Sequence, residues 1–331
     1  MSPVADSTST SDSTVAALRK AITSENVPLA RRFRALFSLK HLASQEASPQ
    51  ATAAIEAIAA AFSSPSALLK HELAYCLGQT RNSEAIPFLR AVLEDYSEDS
   101  MVRHESAEAL GALGDAGSLN IMEKMRDDPN EQTVVRETCE IAIDRINWQL
   151  SENSKSEKLK QSDFASIDPA PPAASTSSPS IPQLRAALLD TSKPLFARYR
   201  AMFALRDLAS PPDALTAEPA VQALAAGFVD KSALFRHEIA FVFGQLSHPA
   251  SIPALLKVLG DKSEESMVRH EAAEALGSLG EEPGVEEQLR AFLEDSEQVV
   301  RESVIVALDM AEYEKNGNME YAMIPEVAAS A

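Results

Sequence analysis

The sequence has few of the residues that mark secreted, all-β or membrane-spanning proteins. Of its 331 residues only 2 are cysteine, too few for a disulfide framework, and the N-terminus lacks the apolar core of a secretory signal. Aromatic residues make up 5% and there are 11 glycines, a composition that argues against a sandwich or barrel. No stretch approaches the ~20 apolar residues of a membrane span. We therefore expect a helical, cytoplasmic protein without a membrane partner.

Basic residues are also in the minority. The 30 lysines and arginines are outnumbered by 49 acidic residues, which gives a formal net charge of −19. Nucleic-acid binding draws its affinity largely from Lys and Arg at phosphates, so we expect no nucleic-acid partner. The acidity suits a cationic ligand or a basic protein partner, although many proteins are acidic for solubility alone.

The chain is a tandem duplication. Residues 18–44 align with residues 184–210 at an offset of 166, so that Pro28 matches Pro194. Within each half a shorter unit repeats, consisting of a polar turn and then a helix that carries R/K-H-E-x-A-x-x-L/F-G or a variant of it. A period in the thirties with apolar residues at helical spacing is typical of stacked helical hairpins. The sequence predicts an all-α solenoid of eight hairpins in two pseudo-symmetric halves of four.

Composition sets the expected boundaries. The two repeat halves are predicted at 15–150 and 181–315. Residues 151–180 are rich in Ser, Pro and Ala and have no periodicity, which predicts a flexible linker. Residues 1–14 and 316–331 are predicted to be tails, the first of them disordered.

A histidine followed by a glutamate occurs four times and uses four of the six histidines. The pairs are His71-Glu72, His104-Glu105, His237-Glu238 and His270-Glu271. Two pairs lie 33 residues apart in each half, and the outer units carry arginine in place of histidine. Passive copying of a drifted motif would not explain why the pairs are confined to the four inner units. Imidazole and carboxylate are common ligands of first-row metals, so we predict one shared site with two metals.

Each half is expected to supply one set of ligands. In stacked hairpins, equivalent positions of neighbouring units lie on one face about 10 Å apart. The first predicted set is His71 and His104 with Glu72 or Glu105, and the second is His237 and His270 with Glu238 or Glu271.

With these motifs the sequence resembles the deoxyhypusine hydroxylase family. Its members are HEAT-repeat proteins of eight hairpins in two halves, with four His-Glu motifs that bind a non-haem di-iron centre. The resemblance implies a monooxygenase that uses two Fe²⁺ ions and O2 to hydroxylate the deoxyhypusine side chain on the precursor of a eukaryotic translation factor, the last step of hypusine biosynthesis. We expect the enzyme to be a monomer.

The resemblance also implies roles for individual residues. His71, His104 and Glu105 would hold one iron, and His237, His270 and Glu271 the other. Glu72 and Glu238 would be catalytic, either as further ligands or as partners of the two cationic nitrogens of deoxyhypusine.

Two other functions remain open. A helical-repeat scaffold would grip a partner along its inner surface, but it has no need of four histidines at equivalent positions. A zinc or manganese hydrolase could use the same ligands, because ligand type alone does not select iron. The remaining histidines, His41 and His248, have no histidine at the matching position of the other half, and Cys76 and Cys139 are predicted to be core residues.

Overall fold

The computed structural model describes residues 7–45, 48–157, 159, 162–174, 179–210 and 214–315. The first half contains α1 (Ser7–Ile22), α2 (Leu29–Ala43), α3 (Pro49–Ala59), α4 (Ala67–Gln79), α5 (Ile86–Glu94), α6 (Ser100–Ala112), α7 (Leu119–Asp127), α8 (Thr133–Leu150) and α9 (Glu152–Ser156). The second contains α10 (Ile181–Leu189), α11 (Leu195–Ala209), α12 (Ala217–Ala225), α13 (Ala233–Leu246), α14 (Ile252–Gly260), α15 (Ser266–Gly277), α16 (Val285–Arg290) and α17 (Gln298–Lys315).

The predicted all-α class is confirmed, since the described residues form helices, turns and coil but no strand. Helix α1 begins at Ser7, inside the predicted tail 1–14, and it buries Val15 and Leu18 in its second half. The predicted tail 316–331 lies outside the described residues. None of the described helices has the length and apolarity needed to cross a bilayer.

Polar side chains fix where the motif-bearing helices begin. The Ser66 hydroxyl accepts a hydrogen bond from the backbone N–H of Leu69 (3.0 Å) at the start of α4, and Ser232 does the same for Phe235 in α13 (3.0 Å). Such caps satisfy backbone donors that the first helical turn leaves unpaired, and each stabilises a helix by about 1 kcal/mol. The equivalent caps set the same register for both copies of the motif.

The arginine that precedes the histidine in the motif connects neighbouring hairpins. The Nε of Arg103 donates to the carbonyl oxygen of Leu93 at the end of α5 (3.0 Å), and its two Nη atoms lie 2.7 Å from the carboxylate of Glu131, before α8. Arg269 makes the corresponding ion pair with Asp295 at 2.6 Å. Bidentate pairs of this kind fix orientation as well as distance, so each arginine holds its own helix, which carries the adjacent histidine, against the next hairpin.

The motif-bearing helices form a closed ring. In chain order, α4 packs on α6 and α6 on α8, and α13 packs on α15 and α15 on α17. The halves meet twice, where α8 contacts α11 and α13 and where α17 contacts α2 and α4. The inner helices of both halves therefore surround one central space.

Matching hydrogen bonds close the two junctions. The Ser66 hydroxyl donates to Glu302 on α17 (2.6 Å), and the Ser232 hydroxyl donates to Glu137 on α8 (2.7 Å). Glu137 and Glu302 occupy the motif position of Glu105 in the last unit of each half. In those units the glutamate joins the halves instead of facing the centre of the ring.

The linker segment 162–174 makes contacts that its composition did not indicate. Its Asp168 pairs with the fully buried Arg206 of α11 at 2.9 Å. The backbone N–H of Ile167 donates to the side-chain oxygen of Gln79 at the end of α4 (2.8 Å), and the side-chain nitrogen of Gln79 donates to the carbonyl oxygen of Ile167 (3.3 Å). Gln245, at the equivalent place in α13, donates to Ser166 (2.8 Å). This segment therefore lies across both halves at the same end of the ring.

Candidate metal centre

The four histidines of the His-Glu pairs meet at the centre of the ring. His71 and His104 project from α4 and α6 with ring centroids 5.4 Å apart, and His237 and His270 project from α13 and α15 at the same separation. Across the halves, His71 lies 5.8 Å from His237 and 5.2 Å from His270. The structure thus brings imidazoles separated by up to 199 residues into one cluster.

Both ring nitrogens of all four histidines are buried and make no hydrogen bond with the described residues, although three of them lie 3.3–3.6 Å from a carboxylate. A buried polar atom without a partner destabilises a protein by about 1–3 kcal/mol, so a cluster of such nitrogens is unfavourable unless a ligand binds them. Burial lowers the pKa of His71, His104 and His270, which favours the neutral imidazole that metals bind. Metal ions would supply the missing partners.

The second glutamate of each half lies against the first histidine of that half. The Glu105 carboxylate is 3.3 Å from Nε2 of His71, and the Glu271 carboxylate is 3.3 Å from Nε2 of His237. Burial raises the pKa of Glu105 to about 8, an effect that the neighbouring His237 opposes. A carboxylate with this pKa gains from a cation beside it, so the pocket favours a positively charged occupant.

Three groups of side chains have donor atoms within 4.8 Å of one another, as a metal ion requires. They are His71, His104 and His237; His237, His270 and Glu271; and His104, Glu105 and Glu108. The second group is the set expected for one iron. The first group joins histidines of both halves, so the two expected sets lie side by side. These residues fit a metal site.

Glu72 and Glu238 face the same space from opposite halves. Both are buried, and burial raises the pKa of Glu72 to about 7 and that of Glu238 well above its usual range. One carboxylate oxygen of Glu238 has no partner among the described residues. Glu72 accepts a weak hydrogen bond from the Cys76 thiol (3.7 Å). Both carboxylates are thus available to a ligand.

A cavity of about 130 Å³ adjoins the histidine cluster. Its lining consists of His71, Glu72, Tyr75, Glu105, Glu108, His237, Glu238, Phe241, Glu271 and Glu274. This volume equals only a few water molecules at ~30 Å³ each, so the cavity suits a slender chain. Six carboxyl groups in so small a space attract a cation.

Four of these lining residues were not predicted as site residues. Glu108 and Glu274 follow Glu105 and Glu271 by one helical turn, and they match each other at the offset of 166. Glu274 lies 3.6 Å from Nδ1 of His270 and accepts a hydrogen bond from Ser303 (3.1 Å). The symmetric spacing was the signal that could have found them.

Tyr75 and Phe241 form the second missed pair. They too match at the offset of 166, and their rings make an edge-on contact with centroids 5.8 Å apart. They lie one turn beyond His71 and His237 on α4 and α13. Their contact narrows the cavity between the two halves.

The two histidines and two cysteines that were not predicted as metal ligands lie outside the histidine cluster. His41 is exposed, and His248 caps a short helix by accepting a hydrogen bond from the backbone N–H of Ala250 (3.1 Å). Cys76 and Cys139 are both buried free thiols. None of these belongs to the histidine cluster.

Comparisons with known proteins agree with this architecture. A family model of HEAT repeats matches residues 55–144 and 217–309. Deoxyhypusine hydroxylase of Coccidioides immitis is 71% identical over 98% of both chains, and that of Aspergillus clavatus is 66% identical over the full length of both. The chain belongs to the deoxyhypusine hydroxylase family. The resemblance carried by the four His-Glu pairs is thereby confirmed.

A solved structure extends the match to three dimensions. Human deoxyhypusine hydroxylase in complex with glycerol is 45% identical, covers 92% of this chain and 98% of its own, and superposes with a TM-score of 0.81. The predicted HEAT-repeat fold is therefore confirmed for this deoxyhypusine hydroxylase family member.

Proposed function

We propose that this protein is a deoxyhypusine monooxygenase, which hydroxylates the deoxyhypusine side chain of a translation-factor precursor as the last step of hypusine biosynthesis. The observation that carries the proposal is the cluster of four imidazoles, whose eight buried nitrogens make no hydrogen bond with the described residues, beside an acidic cavity. The relatives that match over their full length bear the name of this activity.

We infer that the cofactor is a pair of Fe²⁺ ions. Two histidines and one glutamate of each half would hold one ion: His71, His104 and Glu105 in the first half, and His237, His270 and Glu271 in the second. When bound, the iron pair supplies the activation of O2 and the transfer of one oxygen atom to a C–H bond, while an external reductant provides two electrons. Three protein ligands per ion leave coordination positions open for this chemistry.

The acidic cavity would bind and orient the substrate. Deoxyhypusine is a lysine extended by an aminobutyl group, so it carries two cationic nitrogens on a slender chain. Glu72 and Glu238 face the cavity from opposite halves, and each can accept hydrogen bonds from one ammonium or amine group. Two anchors at opposite walls would hold the methylene groups between them in a fixed position next to the histidine cluster.

Burial would keep water away from the reacting carbon. The ring contact of Tyr75 and Phe241 narrows the cavity, and the histidines behind it are at most 5% exposed. Exclusion of water strengthens the ion pairs between the substrate nitrogens and the glutamates and limits side reactions.

Oligomeric state and compartment follow from the same proposal. One chain closes the ring and contributes every proposed ligand, so we infer that a monomer is sufficient for activity. We place the enzyme in the cytoplasm, where its protein substrate is made and where its two buried thiols remain reduced.

The test combines metal analysis with an assay on the natural type of substrate. The purified protein is loaded with Fe²⁺ under anaerobic conditions and then incubated with the deoxyhypusine-bearing factor, O2 and a reductant. The mass of the factor is then measured by mass spectrometry. We expect two irons per chain and a mass gain of one oxygen atom. The His104→Ala variant should lose both, whereas His41→Ala, which removes an exposed histidine, should lose neither.

Three results would contradict the proposed function. Full turnover by the His104→Ala variant would exclude the proposed ligand set. Activity with zinc or manganese and without O2 consumption would assign the site to a hydrolase, and a chain that binds no metal would favour a scaffold.

A further inference from the structure

A second cavity, of about 450 Å³, lies between the linker segment 162–174 and the ends of α6 and α8. Its lining includes Arg81, Arg145 and Trp148, together with Asp168 and Ile167 of the linker segment. Trp148 is the only tryptophan of the chain. The two arginines give this cavity positive charge in a protein whose formal net charge is −19.

These two arginines lack the ion-pair partners that the buried Arg103 and Arg206 have. Arg103 pairs with Glu131, and Arg206 pairs with Asp168. Arg81 and Arg145 make no hydrogen bond or ion pair with any residue that the structure describes, and the Nε of Arg145 is buried without a partner. Burial lowers the pKa of Arg145, although the nearby carboxylates of Asp168 and Glu108 oppose this effect, so a further anion beside its guanidinium would stabilise the charge.

The arginine pair is not a requirement of the repeat. The positions that match Arg81 and Arg145 in the second half are Ser247 and Met310. Arg81 and Ser247 share a left-handed backbone, with φ of 59° and 43°, at the ends of α4 and α13. The same turn is therefore built without an arginine in one half, so the charge at Arg81 serves something other than the turn.

The basic cavity adjoins the acidic one. Glu108 lines the acidic cavity and Ala112 lines the basic one, and these two residues are one turn apart on α6. A side chain that enters the acidic cavity therefore brings the surface around it close to Arg81 and Arg145.

We propose that the cavity of Arg81, Arg145 and Trp148 binds a carboxylate side chain of the substrate protein that lies near the modified lysine in space. A guanidinium can bind a carboxylate through two parallel hydrogen bonds, and this cavity is lined by two arginines. The subsite rests on the proposed function and adds to its specificity. The acidic cavity alone would also attract free diamines, whereas a cation and an anion at a fixed distance identify a protein substrate.

The experiment compares charge-neutralising variants in the iron-loaded enzyme, with the deoxyhypusine-bearing protein as substrate. Arg81→Gln and Arg145→Gln should each raise KM about tenfold, equivalent to about 1.4 kcal/mol, with kcat and iron content unchanged, because the contact is made equally in the ground and transition states. Arg185→Gln, which removes an exposed arginine on α10, is the matched control and should leave KM unchanged. Arg145→Lys should recover part of the loss.

Several results would overturn the proposal. One is an unchanged KM in both variants, and another is an equal rise in the Arg185→Gln control. If Arg145→Gln loses iron, the KM of Arg81→Gln alone tests the proposal, because Arg81 is exposed and its replacement removes no buried contact. A wild-type enzyme that does not hydroxylate the substrate would instead refute the proposed function, so the two failures are distinguishable.

The fluorescence of Trp148 separates a protein carboxylate from a free one. We expect substrate protein to change the emission of the wild type, and that of Arg81→Gln only at about tenfold higher concentration, and succinate at millimolar concentration to change neither. Succinate that alters the emission and competes with the substrate protein would show a site for small anions and overturn the proposed occupant.

Discussion

The helix contact behind the histidines gives a test with an internal control. A Cβ atom added at Gly78 would lie 2.7 Å from the Cα of Ala109, so α4 cannot stay in place against α6. At the equivalent Gly244 the nearest atom, the Cα of Ala275, is 3.4 Å away, which is ordinary contact. The same substitution, glycine to alanine, therefore meets two different environments in one chain.

The expected magnitudes follow from these distances. To reach the spacing seen at Gly244, α4 must move by about 0.7 Å, and such overpacking costs about 1–3 kcal/mol. Alanine offsets up to ~1 kcal/mol of this through its higher helix propensity. We expect Gly78→Ala to lower the free energy of unfolding by up to about 2 kcal/mol, and Gly244→Ala to raise it by up to about 1 kcal/mol.

We expect Gly78→Ala to reduce the iron content more than Gly244→Ala does. Ligand distances tolerate deviations of only about 0.2 Å, less than the required movement of the helix that carries His71. Thermal unfolding with and without metal, together with the iron content of each purified variant, checks both expectations. Equal stability and equal iron content in Gly78→Ala and Gly244→Ala would refute the reasoning.

Three further predictions concern the linker, pH and the missed glutamates. Arg206→Met should cost about 3 kcal/mol or more because it breaks a buried ion pair, and it should expose the linker segment to proteolysis while an exposed-site variant such as Arg185→Gln does not. Burial raises the pKa of Glu72 to about 7 and that of Glu105 to about 8, so the folded metal-free protein retains protons that the unfolded chain has released. The free energy of unfolding of the metal-free protein should fall as the pH rises from ~6.5 to ~8, while stabilisation by bound metal grows. Calorimetry of the metal-free and metal-bound forms would contradict this if stability rose with pH in the metal-free form. Glu274→Gln should weaken metal binding about 10- to 100-fold by removing the charge beside a ligand histidine, and an unchanged affinity in a metal titration would exclude that role.

The sequence was informative about the histidines because duplication repeats their environment. Four pairs at spacings of 33 and 166 residues, replaced by arginine in the outer units, predicted which imidazoles would meet. Helical periodicity placed them on equivalent faces, and that local property survives in the structure. The distribution of six ligands over two metals remains a prediction.

The glutamates were harder to assign from the sequence. A helix places residues three and four apart on nearly the same face, so Glu105 and Glu108 both remain candidates until neighbouring helices are fixed. In the structure Glu105 lies against His71 and Glu108 lines the cavity. Tyr75 and Phe241 carried no signal beyond their symmetry, because their contact forms only when the halves face each other.

By itself, the sequence determined the helical class, the duplication and the histidines that form the cluster, since all three are written in local spacing. Only the tertiary structure decided that the two halves close into a ring, that Glu137 and Glu302 join them, and that the linker segment 162–174 holds a buried ion pair. The angle between successive hairpins is set by many side-chain contacts and accumulates along the chain, so no single motif specifies where the ends of the stack will meet.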